Sequence, residues 1–218
     1  MPPLPFTDLE TAAYCPRKLY YRRRDEVTVP EQVAERRELA FQYDRLLDAP
    51  DANLAALPTE RPPDEFRANL QRAADHDAWP ELCRPDERER LVTGKDCRGV
   101  VHKVLDCDGP VPSMAFTGDP PPEGVWEPQS VRTVAAAKAL AWEHERPVER
   151  AFVEYPTHGV VREIRLTTRR KAAYRRALRA ARSIDGPPPR LRGDAKCDAC
   201  EYRDECGVKT RSLRSLLP

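Results

Sequence analysis

Residues 99–118 read GVVHKVLDCDGPVPSMAFTG, and this stretch decides the fold. Val100, Val101, Val104 and Leu105 make a β-branched run that suits a buried strand. A turn rich in Pro and Gly follows, then a second short run, Met114-Ala115-Phe116-Thr117. Residues 118–128 (GDPPPEGVWEP) form a stiff loop. Working outward, residues 130–145 predict an Ala-rich helix with Val131, Val134, Ala135, Leu140 and Trp142, stopped by Pro147. Ala151–Tyr155 and Val160–Leu166 predict a hairpin around the His158-Gly159 turn. A last long helix is expected over 167–183, and Pro187-Pro188-Pro189 links it to a cysteine-rich tail.

Upstream, the reading is helical. Thr7 and Glu10 have the spacing of a capping box, and Leu9, Ala12 and Ala13 follow at helical intervals. Residues 31–47 place Val33, Leu39, Tyr43, Leu46 and Leu47 roughly on one helical face. Residues 48–63 read as a loop with one helical turn, and 64–78 as another helix. The expected class is therefore an α/β domain with a small mixed sheet. One domain spans 1–218: a helical part (1–90), an α/β core (91–183), and a linker and cysteine tail (184–218).

The composition narrows the partners. Lys+Arg 37 against Asp+Glu 36 leaves a net charge of +1, so any electrostatic partner must be met by a local patch. The chain is 40% hydrophobic and 33% charged, polar but above the disorder signature. No apolar run is long enough to span a bilayer and the start lacks a secretory pattern, so the expected location is cytoplasmic with no membrane partner. In that compartment 7 Cys point to metal or cluster binding before disulfides.

Cys197, Cys200 and Cys206 are spaced C-x2-C-x5-C. Two thiolates three apart can chelate one centre from a tight turn, and the third comes from the next segment. A closed tetrahedral or cubane site needs a fourth ligand, for which Cys15, beside Pro16, is the candidate. Spacing alone leaves structural zinc and an iron–sulphur cluster equally open. Cys83, Cys97 and Cys107 have no chelate spacing and read as small buried apolar residues.

The order of these segments carries a resemblance. A Tyr14-Cys15-Pro16-Arg17-Lys18 segment comes first, then a strand opening on Gly99, the Gly118–Pro128 loop, the Ala-rich helix, the hairpin, the basic helix and the Cys tail. This resembles the CRISPR-associated Cas-four exonucleases, which have the RecB-like PD-(D/E)XK nuclease fold, most clearly over 7–24 and 91–207. The resemblance implies a [4Fe–4S] cluster on Cys15, Cys197, Cys200 and Cys206, Mg²⁺ or Mn²⁺ if the nuclease site works, and a role in processing DNA ends beside the CRISPR integrase.

The chain departs from that family where hydrolysis needs oxygen ligands for a hard cation. His102 stands in place of the Asp, Met114 in place of the Glu and Phe116 in place of the Lys. Val134 and Lys138 replace the Gln and Tyr of the following helix. Tyr43 or Asp44 lies nearest the position of the family's early His. The expectation is a lost or weak nuclease centre. A competing reading relocates the site to Asp96, Asp106, Asp108, Asp119 and Glu123, with His102 available to a transition metal. His76, His144 and His158 read as surface residues, and His102 as half-buried with a backbone partner.

Two basic patches could carry single-stranded DNA or DNA ends. The helix over 167–183 offers Arg169, Arg170, Arg175, Arg176 and Arg179 for phosphates, with Tyr174 as a stacking ring. The start offers Arg17, Lys18 and Arg22, with Tyr20 and Tyr21. The other readings are faces that pair with the acidic 44–90 region, and a purely structural metal module with no nucleic-acid role.

Overall fold

A computed structural model describes residues 2–25, 28, 30–191 and 195–207. The core is a six-stranded mixed sheet, ordered β1-β3-β4-β5-β6 with β2 also on β3. The strands are β1 (Leu4–Pro5), β2 (Glu87–Thr93), β3 (Cys97–Asp106), β4 (Pro110–Ala115), β5 (Arg150–Tyr155) and β6 (Val160–Arg165). The β2-β3, β3-β4 and β5-β6 pairs are antiparallel. The β4-β5 pair is parallel, and its crossover is α8 (Glu127–Glu143).

Helices cover both faces. On one, α8, α1 (Phe6–Tyr14) and α9 (Thr168–Arg182) bury Leu9, Val134, Tyr174 and Leu178 against Val101, Val104, Met114 and Val153. On the other, α4 (Tyr43–Leu47), α6 (Pro63–Ala74) and α7 (Trp79–Cys83) bring Tyr43, Phe66, Leu70 and Leu82 against Ala115, Leu105 and Phe152. The α/β class and the hairpin follow the sequence reading. Gly159 closes that hairpin at φ +63, and a Cβ there would meet the Phe66 carbonyl at 2.8 Å. Thr167 caps α9 by accepting from the Arg170 amide.

Several expectations are corrected. No capping box forms: Pro5 precedes α1, Thr7 lies inside it, and Glu10 reaches Arg132 at 3.0 Å. The expected 31–47 helix breaks into α3 (Glu31–Glu38), a 3₁₀ turn over 39–41 and α4, because Gln42 leaves the helical region at φ −126. β2 starts at Glu87, inside the stretch read as helical; its alternation is of charged residues, which hides it. The Ala-rich helix starts at Glu127 and ends at Glu143, before Pro147, and Trp142 on it is 58% exposed. The helices α2 (Pro16–Arg22), α5 (Asp51–Ala55) and α10 (Arg203–Gly207) complete the set.

On the α4–α7 face the helices are fastened to the sheet by one buried polar contact. Lys103 and Glu154 are each 0% exposed and pair at 2.8 Å. The ammonium also donates to the carbonyls of Ala40 (2.6 Å) and Leu82 (2.7 Å), so all three protons are used. Ser113, also buried, donates to the other Glu154 oxygen, and the Phe41 and Tyr43 rings flank the ammonium at 5.4 and 4.7 Å. Burial pulls Lys103 below its ordinary value, with Glu154 acting against that pull. This one residue pins the α3–α4 connection and α7 to β3 and, through Glu154, to β5 on the far side of β4. Lys103→Met leaves Glu154 buried without its partner and is expected to cost about 3–5 kcal/mol in urea unfolding, whereas Lys103→Met combined with Glu154→Leu loses much less. Equal losses in both variants would contradict this account.

Candidate functional site

The first two helices and residues 195–207 meet at one place. α1 stops at Cys15, whose backbone is extended (φ −163, ψ 115), and Pro16 begins α2. A residue before Pro is disfavoured in the helical region, and Pro is tolerated in a first turn, so the sequence Cys-Pro itself makes the break. Cys15, Cys197, Cys200 and Cys206 all line one cavity there. Tyr14, Arg17, Lys18, Tyr21, Lys196, Tyr202 and Arg203 complete much of its wall.

Several contacts fasten the tail to α1 and α2. The Tyr14 hydroxyl donates to the Lys196 carbonyl at 2.9 Å, and Lys18 pairs with Glu201 at 3.0 Å. Tyr21 stacks on Tyr202 at 5.6 Å, and Arg17 donates to the Pro188 carbonyl at 2.8 Å. Burial acts to lower Arg17, but Tyr21 and a hydrogen bond to Cys206 outweigh it and raise the guanidinium above its ordinary value. Among the described residues, no three of these sulphurs lie within 4.8 Å of one another. Of the other cysteines, Cys83 and Cys97 are buried as expected, and burial pushes both thiols up to about 11; Cys107 is only half-buried, at the edge of an open groove.

The second region lies where the chain departs from the exonuclease pattern. β3 has β2 along one edge, so β1 and β4 share the other. β4 pairs only with Lys103–Asp106, and β1 only with Cys97 and Arg98. His102 fills the gap between them: its Nδ1 accepts from the Ala115 amide at 2.8 Å, in place of a ladder bond. Gly99 is required beside it, since a Cβ would lie 2.5 Å from the Phe6 ring. His102 is 2% exposed, so it is fully rather than half buried. Met114, Phe116 and Val134 are in the apolar core, Lys138 is exposed, and Tyr43 lies buried on the opposite face under Trp79.

The relocated carboxylate site is not formed. Asp96 pairs with Arg182, Asp106 accepts from the Gly109 amide in a turn, Asp108 lies 3.9 Å from Arg146, and Asp119 meets His158. Glu123 is exposed. His158 is 2% exposed, not a surface residue. His76 also has a setting the sequence did not suggest: with Asp77 and Glu163 it forms the group among the described residues whose ligand atoms could share one ion. Arg150 already bridges both carboxylates there, at 3.3 and 3.2 Å. Glu163 is far from His76 in sequence, so no spacing signal could have shown it.

The basic patches divide. Arg22 donates to Thr11, and Arg17 and Lys18 serve the tail, so much of the N-terminal patch is used in packing; Tyr20 packs edge-on against Tyr21. On α9, Arg169, Arg175, Arg176 and Arg179 are exposed and Arg170 is half-buried. Arg176 lies 3.6 Å from Glu127, on α8 rather than in the 44–90 region. Tyr174 is 1% exposed and donates to the Cys97 sulphur, so it is a core residue and not a stacking ring.

No family model matches the chain. The chain is similar to an uncharacterized protein of Archaeoglobus fulgidus, 23% identical over 211 residues that cover 92% of this chain and 93% of that protein. Among the described residues, no helix is long and apolar enough to cross a membrane.

Burial, then the charges of Arg132, Arg37 and Lys103, hold His102 well below its ordinary 6.5. The unfolded chain therefore takes up that proton first as pH falls. Stability is expected to decline below pH 6.5, by up to about 1.4 kcal/mol per unit from this group. His102→Gln should flatten that decline in denaturant titrations from pH 7 to 5; an unchanged slope would contradict the assignment.

Proposed function

We propose that this chain is a cluster-bearing relative of the Cas-four exonucleases that binds single-stranded DNA or DNA ends without cutting them, beside the CRISPR integrase. The observation that carries the reading is the meeting of Cys15 with Cys197, Cys200 and Cys206 around one cavity. The donor set suits an iron–sulphur centre: four cysteine sulphurs line the cavity, with Arg17, Lys18, Lys196 and Arg203 in its wall. When bound, such a cluster would tie the tail to α1 and α2, and its binding energy would be folding energy.

The PD-(D/E)XK reading of the sheet draws support from the antiparallel β2-β3-β4 unit followed by a helical crossover to a parallel β5. The loss of hydrolysis rests on chemistry. Hard divalent ions require oxygen ligands, and His102, Met114 and Phe116 offer a neutral imidazole, a thioether and a ring. The exposed arginines of α9 suit phosphate oxygens.

Binding of a labelled single strand should weaken steeply with salt, with a log–log slope of about −0.7 per phosphate contact. Arg175→Gln with Arg179→Gln should reduce that slope. No degradation is expected with Mn²⁺ or Mg²⁺. Robust cleavage that a single carboxylate substitution abolishes, or no binding even at low salt, would overturn the proposal.

A further inference from the structure

A second group of ligand atoms lies where the connection between α6 and α7 meets the sheet. His76 and Asp77 stand in that connection, Glu163 is on β6 and Arg150 opens β5. One ligand atom each from His76, Asp77 and Glu163 lie within 4.8 Å of one another. Asp77, Glu163 and Arg150 line an open groove of about 870 Å³, so the group is reached from solvent. The Asp77 side chain is 69% exposed, and those of His76 and Glu163 are 29% and 23% exposed.

The imidazole shows where a cation is called for. Its Nδ1 lies 2.6 Å from Asp77 Oδ1, and its Nε2 lies 3.2 Å from Glu163 Oε2. The Ala78 amide donates to Nδ1 at 3.1 Å, so Nδ1 presents a lone pair. A neutral ring then carries its proton on Nε2, directed at Glu163. Nδ1 and Asp77 Oδ1 are left as two acceptors in contact, with no proton between them. The Ala78 amide also hydrogen-bonds Asp77, so one donor serves two crowded acceptors. A cation shared by the two atoms turns this repulsion into a chelate. Their 2.6 Å separation is a usable bite for an ion held at about 2.1 Å from each. A ring N–H donated to a carboxylate is also the common support of a metal-bound histidine.

Arg150 opposes the ion without closing the site. Its Nη1 lies 3.2 Å from Glu163 Oε2, and its nearer contact with Asp77 is Oδ2 at 3.3 Å, which leaves Oδ1 facing the ring. The guanidinium balances the two carboxylates, and by like-charge repulsion it weakens a cation held beside it.

We propose that His76, Asp77 and Glu163 form a binding site for one divalent transition-metal ion. One imidazole and two carboxylates suit the range from Mn²⁺ to Zn²⁺. The ion fastens the α6–α7 connection to β6, and its remaining positions face the groove. The site uses no cysteine, and it depends on neither the cluster nor DNA binding.

The probe is Mn²⁺, a hard ion that prefers these ligands to the cysteine sulphurs. It is titrated into the full chain after a chelator wash. Free ion is read from its paramagnetic resonance signal, and the protein from its thermal midpoint. The natural protein is expected to take up one ion per chain, with a midpoint that rises as the site fills. Asp77→Ala and His76→Gln should each weaken binding by about tenfold or more and lose that rise. Asp77 is largely exposed, so its variant keeps the fold. Arg150→Gln should bind the ion more tightly than the natural protein, because it removes a competing positive charge. Uptake that Asp77→Ala and His76→Gln leave unchanged would overturn the site. So would the absence of uptake by the natural protein, and uptake confined to Arg150→Gln would show that the guanidinium alone is the partner of these carboxylates.

Discussion

The break at Cys15-Pro16 is the constraint on which the arrangement depends. It ends α1 while that helix is packed between α8 and α9, and it leaves the Cys15 backbone extended. The tail then returns across this corner, held by Tyr14, Lys18 and Tyr21. The first helix and the last segment are therefore read together: a change at one end alters the other. A continuous helix through residue 15 would carry α2 off in a different direction and separate the first thiol from the three in the tail.

The sheet carries a second device, independent of the first. Lys103 and His102 are neighbours on β3 with opposite tasks. Lys103 faces the α3–α7 side and is fully paired; His102 fills the split between β3 and β4 and is held neutral. Both are buried at the centre of the sheet. Met114 and Phe116 extend the apolar surface beside them. An imidazole, a thioether and a ring are poor ligands for a hard cation.

Much of this was legible in the sequence because its signals are local. The β-branched run at Val100–Leu105, the turn at Gly159 and the Thr167 cap each act over a few residues, and the structure follows them. The cysteine spacing is local as well, and the structure brings Cys15 to the same cavity as Cys197, Cys200 and Cys206. What could not be read is non-local. β2 carries Glu87, Arg88, Glu89 and Arg90, and only its pairing to β3 makes it a strand. The Lys103–Glu154 pair joins residues 51 apart, and each looks like an ordinary surface charge in sequence. Arg37 reads as one more solvated residue on a polar helix, yet its Nε is buried.

Iron and acid-labile sulphide measured per chain in anaerobically purified protein, together with its visible absorbance, test the central claim most directly. The account predicts about four iron and four sulphide per chain, with a broad brown absorbance bleached by dithionite, and loss of both in Cys15→Ser. A colourless protein carrying one zinc, or an iron content that Cys15→Ser leaves unchanged, would contradict it.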